Sequence, residues 1–177
     1  GFDFTERPSD ASTTGVFAAG RDKLRQVTTP DAPWYLHLHV KEPHAAYNPP
    51  EEYVGALAAL GALPWDLANR DEHYALRDMY NELSKEEQAI LKSALLIRYH
   101  GEVSYLDDLV RAAFAEYEDA GLLDDTLVLL VNDHGEQFWE HGEQTHAFDL
   151  NFEENDGFAI FWSKNISSCN ILFVKTA

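Results

Sequence analysis

An α/β fold, layered and built on a largely parallel sheet flanked by helices, is what this sequence predicts. TLVLLV at 126–131 is a continuous apolar run rich in β-branched residues, the pattern of a strand buried on both faces. FAIFW at 158–162 reads as a second buried strand. A long helical pattern separates TLVLLV from an earlier apolar run, WYLHLHV, so strands alternate with helix as in layered α/β folds.

The elements follow in order. Residues 1–30 are polar and rich in Ser, Thr, Asp and Pro; they read as a loop, a short helix over 17–26 and a linker ending at Pro33. WYLHLHV at 34–40 follows a proline and alternates His37 and His39 with apolar residues, which predicts a strand ending before KEPH. PHAAYNPPEEY is a loop, because three prolines forbid regular structure there. A helix is expected from about 51 to 60, then a loop over 61–70 containing Pro64. EHYALRDMY has the pattern of an amphipathic helix, and His73 within it is given no role. Ser84 and Glu87 have capping-box spacing. From there, apolar residues at Leu91, Leu95, Tyr99, Leu106, Leu109, Ala113 and Tyr117 predict one helix to about Asp119, with Gly121 as its stop. NDHGEQFWEHGEQTHAFD reads as a long polar loop on the C-terminal end of TLVLLV.

At 177 residues, with 45% apolar and 12% aromatic content, the chain can bury a core. Thirteen basic against 31 acidic residues leave a net charge of −18. Such a surface repels nucleic acid and anionic membranes, so neither is an expected partner. It also repels a free anionic substrate. A phosphate or sulfate ester would need a local positive centre, and with basic residues scarce a metal ion is the candidate. The single cysteine, Cys169, excludes a disulfide within this chain and lacks metal-ligand spacing. No apolar run is long enough for a membrane span and no signal peptide is recognisable, which makes the cytoplasm the default setting. The abrupt start GFDFTERPSD reads as the interior of a longer protein or as a trimmed one.

VNDHGEQFWEHGEQTHAF carries the strongest chemical signal. Ligand sites in open α/β sheets lie outside the C-terminal ends of strands, and Asp133 and His134 stand there. An isolated Asp-His pair is more often a helix cap beside a solvated imidazole. Placement after an apolar strand, with His141 and His146 in the same loop, favours a metal site. A carboxylate with imidazole suits Zn²⁺ or Mn²⁺ better than Ca²⁺. Gly135 permits a sharp turn. In HLHVKEPHAAY, His44 lies beside a proline, where an imidazole could protonate a leaving-group oxygen. His37 reads as a structural histidine, and His39, on the same strand face, as an equally balanced ligand candidate. His100 and Glu102 could be functional, but Glu102, Tyr105 and Asp108 read better as a polar helical face. No P-loop, dinucleotide fingerprint, nucleophile elbow or C-x-x-C occurs.

These residues form a familiar pattern. PWYLHLHVKEPHAAYNPPEEY resembles the sulfatase segment in which a strand is followed by H-x-x-x-PH-x-PY-x-PP. RYHGEVSYLDDLV…LLDDTLVLLVNDHGEQFWEHG is similar to the later helix, strand and DHGE-x-x-x-EHG block. THAFDLNFEENDGFAIFW resembles the next stretch, H-x-x-x-L-x-E-E-x-x-x-x-P-x-x-x-W. The matches keep the family's order over about 34–162. The resemblance implies metal ligands at Asp133 and His134, a leaving-group acid at His44 and an ester-oxygen contact at His146. His39 and His141 stand beside these, from their position alone, as candidate additional ligands or substrate contacts. The family's N-terminal acidic ligands and its C-x-P-S-R or Thr/Ser nucleophile have no counterpart here, and Cys169 lacks that context.

The whole chain, 1–177, is therefore expected to be one truncated domain of alkaline-phosphatase/sulfatase type. A polar segment (1–33), a family-like core (34–162) and an atypical tail (163–177) make it up. The expected activity is hydrolysis of a small phosphate or sulfate ester, best a phosphodiester, by metal-activated water with no protein nucleophile. The alternative is an inactive fragment that retains metal binding or a structural role. Apolar strands left without the family's N-terminal half predict a homo-oligomer, most simply a two-fold dimer.

Overall fold

The computed structural model describes residues 5, 7, 8, 12–27, 32–165 and 170–176. Cys169, most of the loop expected at the N-terminus and most of the linker before Pro33 lie outside them. The chain packs into two compact units. One comprises Gly1–Glu42, Asp108–Asp133 and Gly157–Ala177; the other comprises Pro43–Asp107 and His134–Asp156.

The first unit holds a four-stranded sheet. Its strands are β1 (Tyr35–His39), β2 (Thr126–Asn132), β5 (Ala159–Trp162) and β6 (Asn170–Thr176), in the order β1-β6-β2-β5. β6 pairs parallel with both β1 and β2, and β5 closes the edge antiparallel to β2. The largely parallel sheet expected from the sequence is what forms. The tail, expected only to be atypical, supplies a strand at the middle of the sheet. Helix α1 (Thr13–Val27) begins one turn earlier than its apolar pattern suggests. Its Phe17 and Leu24 are buried, and the Phe17 carbonyl accepts the Tyr117 hydroxyl at 2.9 Å. Burial pushes the Tyr117 phenol up, so it stays a donor. Leu38, Val40, Ala113, Leu123, Val128 and Val174 are buried in the same unit.

Two burial expectations are corrected. TLVLLV is not buried on both faces: Thr126 and Val128 are buried, while Leu127 and Leu129 to Val131 are half-buried. FAIFW is not a buried strand at all, since every residue of β5 is exposed, Phe161 to 66%. β5 has one neighbour, β2, and lies at the sheet edge.

The second unit is built on α2 (Arg70–Asp78) and the first two thirds of α3 (Lys85–Asp119). Asn69 caps α2 by accepting the Asp71 and Glu72 amides. At the start of α3 the capping box forms as its spacing predicts: the Ser84 amide donates to Glu87 at 2.8 Å, and Ser84 Oγ accepts the Glu87 amide at 3.3 Å. The helix ends at Asp119, and Gly121 follows with φ of 70°, a conformation that glycine takes without a Cβ clash. Leu91 and Leu95, one turn apart, pack with Leu67, Leu76, Tyr47 and Phe138. The helix expected over 51–60 is instead two short 3₁₀ segments, Glu51–Tyr53 and Gly55–Leu60. Among the described residues, no helix is long and apolar enough to cross a membrane.

His73 on α2 is buried to 1% exposure against Tyr47 and Tyr74. Burial lowers its pKa from 6.5 to about 4, a pull that the Gln144 side chain and the Glu136 carboxylate only partly oppose. The unfolded chain therefore protonates His73 at a higher pH than the folded chain does. Stability from keeping this ring neutral is complete above pH 6.5 and is lost as pH falls toward about 4. The loss amounts to about 3 kcal/mol. Denaturant titrations across that window are expected to show His73→Leu losing less stability than the native chain by this amount. Parallel curves for the two proteins would place the titration elsewhere.

Candidate functional site

The loop that follows the DHG sequence is more ordered than a polar run suggests. It contains a hairpin, β3 (Gln137–Phe138) against β4 (Gln144–Thr145), and all four of those residues are buried. Its turn is pinned by Trp139, whose amide donates to the Glu143 carbonyl at 2.7 Å and whose ring stacks on Tyr80 at 3.8 Å. Gln144 Nε2 donates to the Tyr47 hydroxyl at 3.3 Å. The expected long polar loop thus contains a two-stranded ladder, and several of its polar side chains are drawn inside by partners in the same unit.

Gly135 is required by space rather than by its turn. A Cβ there would lie 2.1 Å from the Glu153 carbonyl oxygen, and the Gly135 amide donates to the Glu154 carbonyl at 2.8 Å. Glu154 belongs to the short helix α4 (Phe152–Asn155) and is buried. Its carboxylate accepts the Gln137 side-chain amide and the backbone amides of Phe148, at 3.0 Å, and Asp149, at 3.3 Å. One carboxylate thus holds both ends of the segment that carries His146.

His44 is presented by the proline-rich loop, which α3 grips from below. Arg98 donates to the Tyr47 carbonyl at 2.6 Å and to Asn48 Oδ1 at 2.9 Å. Glu102 accepts the Asn48 amide at 2.7 Å. Glu102 is therefore not part of an exposed polar helical face, as its spacing suggested; it is buried and ties down a loop with no backbone ladder of its own.

Within this unit His44, His134 and His146 come together. The His134 and His146 rings lie 3.8 Å apart, and the His44 ring meets His146 edge-on at 5.5 Å. Glu136 Oε1 lies 3.0 Å from His146 Nδ1, and its Oε2 accepts the Tyr47 hydroxyl at 2.6 Å. The Glu136 side chain is only 5% exposed. Burial, reinforced by the neighbouring Glu136 charge, pushes the Tyr47 phenol well up, so Tyr47 donates. A pocket of about 450 Å³ opens beside His134 and His146, with Phe148, Asp149, Leu150 and Asn155 on its walls. That volume suits a small organic ester. His141 is not in this group; it is exposed and pairs with Glu153 at 2.8 Å.

Asp133 and His39 belong to the first unit. Asp133, just past the C-terminal end of β2, is ion-paired with Lys175 of β6 at 2.9 Å. His39 stands in register with Lys175 at the end of β1. His37, on the same strand face, has its pKa lowered by burial and then by His39 and Lys175. Among the described residues, no group of three or more His, Cys, Asp or Glu side chains is arranged to hold a metal ion. Asp133, moreover, already spends a carboxylate oxygen on a lysine. The donor set does not make a metal centre by itself.

Sequence reasoning missed Glu136, Tyr47, Glu154 and Lys175. Glu136 and Glu154 stand in quoted motif text, but their burial depends on partners far along the chain. Lys175 lies in the tail, where no strand was expected.

Comparison with known proteins bears on the same residues. The sulfatase family model matches residues 5–168. A choline-sulfatase of Rhizobium meliloti (strain 1021) is 29% identical over 132 residues, covering 69% of this chain and 24% of that protein. A human iduronate 2-sulfatase is 24% identical over 140 residues, covering 68% of this chain and 25% of that protein. The chain thus spans about a quarter of the length of the curated relatives it matches.

Gly135→Ala is expected to drive the DHG turn off the Glu153 carbonyl, breaking the amide bond to Glu154. Overpacking of this kind costs about 1–3 kcal/mol. Equilibrium unfolding measures the loss, and chemical-shift changes are expected to concentrate at residues 134–154. An unchanged midpoint with undisturbed shifts would show that the turn has room to spare.

Proposed function

Because the chain belongs to the sulfatase family, we propose that it serves sulfate-ester hydrolysis, with the cluster of His44, His134 and His146 as its working site. One observation carries this reading: three imidazoles come together, with His134 and His146 on the wall of a pocket of ester size, His44 against His146, and a buried carboxylate behind His146. His44 Nδ1 lies 2.7 Å from the Ala45 carbonyl, so Nδ1 donates and a second contact goes through Nε2. His134 Nδ1 is held in the same way by the Gly135 carbonyl, at 2.7 Å.

In the proposed reaction an oxygen nucleophile attacks sulfur and the bond from sulfur to the leaving-group oxygen breaks. That oxygen keeps the electron pair and takes a proton from His44 Nε2. His146 contacts the sulfuryl oxygens. No side chain of this chain is proposed as nucleophile. The family generally uses a divalent metal. Asp133 and His134, consecutive in the chain, are proposed as this chain's share of such a site, with Zn²⁺ or Mn²⁺ as the ion their chemistry suits. His39 and His141 remain proposed substrate contacts. A cytoplasmic setting is proposed on the sequence reading alone.

A panel of choline sulfate, a 2-O-sulfated iduronate, an aryl sulfate and a phosphodiester tests the proposal. The first two follow the names of the relatives, and the last tests the reading that an acidic chain tolerates a singly charged diester. Sulfate release is expected, with His44→Ala slowing poor leaving groups about 10²–10⁴-fold and good ones far less. Equal slowing on both would remove the acid role. A second reading, a chain that folds but does not turn over ester, is favoured by the ion pair that engages Asp133 with Lys175. Silence across the whole panel with metal supplied would select it.

We also propose association of two copies through β5. Its four residues are exposed at a sheet edge, with Ile160, Phe161 and Trp162 among them. Sedimentation at micromolar concentration is expected to give a dimer that Phe161→Lys dissociates. A monomer across that range would end this proposal.

A further inference from the structure

We propose that Glu136, clamped by Tyr47, is a positioning residue that fixes the ring of His146 so that Nε2 is the atom it offers to the pocket. The inference deepens the hydrolase reading and rests on it for its functional meaning. Its geometry stands apart from that reading.

The carboxylate is nearly out of solvent and its two oxygens have different partners. Oε2 accepts the Tyr47 hydroxyl, and Oε1 lies against His146 Nδ1. An ionised carboxylate only accepts hydrogen bonds, so the proton in the second contact sits on His146 Nδ1. With Nδ1 committed, any hydrogen bond from this ring to a bound ester uses Nε2. Tyr47 cannot turn away to release the carboxylate. Its side chain is fully buried, its ring packs on Phe138 and Tyr99, and its carbonyl takes the Arg98 guanidinium.

The backbone supports the same conclusion. Thr145 and Ala147, on either side of His146, have φ of 81° and 72°. Neither residue type adopts that region without strain, a β-branched threonine least of all. Strained backbone persists where surrounding contacts over-determine it, and it gathers at sites where a side chain must be aimed. Here the contacts are visible: Thr145 pairs with Gln137 in the hairpin, and Glu154 holds the Phe148 amide just beyond. The histidine is thus fixed twice, through its ring by Glu136 and through its backbone by its neighbours. A histidine that only filled space would need neither. The arrangement is the one by which a carboxylate orients a working imidazole.

The test reads the ring directly, in the chain itself at one neutral pH. Long-range proton–nitrogen spectra of the histidine rings are recorded for the native chain, Glu136→Gln, Glu136→Ala and Tyr47→Phe. The His146 signals are assigned by their absence in His146→Gln. The native chain is expected to show a protonated Nδ1 held in one ring state. Glu136→Gln keeps one acceptor oxygen for two donors, the Tyr47 hydroxyl and His146 Nδ1, and loses part of that pattern. Glu136→Ala loses it, with the two nitrogens averaging, and Tyr47→Phe loses part of it. A native ring with Nδ1 unprotonated overturns the proposal without any variant, and so does a Glu136→Ala ring indistinguishable from native. With a sulfate ester that the chain hydrolyses, Glu136→Ala is expected to lower kcat about 10–100-fold, with KM changing far less and Glu136→Gln, which keeps one of the two acceptor oxygens, falling between Glu136→Ala and native. An inactive native chain whose ring signals follow Glu136 as expected ends the hydrolase reading and leaves the positioning intact.

Discussion

The hydrogen bond from Tyr47 to Glu136 joins positions 89 apart in sequence, and most of the chemistry-bearing unit is organised around it. A carboxylate this deeply buried would cost several kcal/mol if left alone. It is kept by two partners, a phenol held protonated by burial and an imidazole nitrogen. A hydrogen bond to a charged group contributes about 1.5–3 kcal/mol, so the pair of contacts can offset much of that cost. The bond ties the proline-rich loop that carries His44 to the segment that carries His134 and His146. The proline-rich loop has no backbone ladder of its own, whereas the second segment has the short β3–β4 ladder next to His146.

Helix α3 is the rigid part against which both loops are set. Its first two thirds present Leu91 and Leu95 to the core of the second unit, and Arg98 and Glu102 to the loop at 47–48. Its last turns present Ala113 and Tyr117 to the first unit. Arg98 illustrates the constraint. Burial lowers its pKa, with Asp66 and Glu102 opposing, and it satisfies its donors on a backbone carbonyl and an amide rather than on a carboxylate. Such a group serves geometry more than stability.

The charge of the chain bears on the chemistry as well. With a net charge of −18, any anionic ligand, the proposed ester included, would approach this protein against the overall field. The cluster answers with imidazoles, which can donate hydrogen bonds without requiring a full positive charge in an acidic surface. Lys175, in the first unit, is held by Asp133.

The sequence by itself determined the kinds of element and most of their limits. The capping box at Ser84 and the stop at Gly121 bracket α3 as found, because both signals act within one helical turn. The run at 35–39 and the run at 126–132 are strands, since period and β-branching are local properties. The motif histidines were recognisable as residue types in the right loops. Only the tertiary structure decided which faces are covered. FAIFW is apolar enough for a core, yet it lies at an edge because β6, from a tail with no expected strand, takes the central place between β1 and β2. Tertiary packing likewise decided that polar residues at 136, 137, 144 and 154 go inside. Polar pattern predicts solvent, and it is overturned where donors or acceptors come from other segments; the Glu136 and Glu154 carboxylates and the Gln137 and Gln144 amide nitrogens find them, while Gln137 Oε1 and Gln144 Oε1 are buried without one. Hydrogen-bond partners at long sequence separation leave no periodic trace, which is why His146 could be picked out from the sequence and Glu136, the group that aims it, could not.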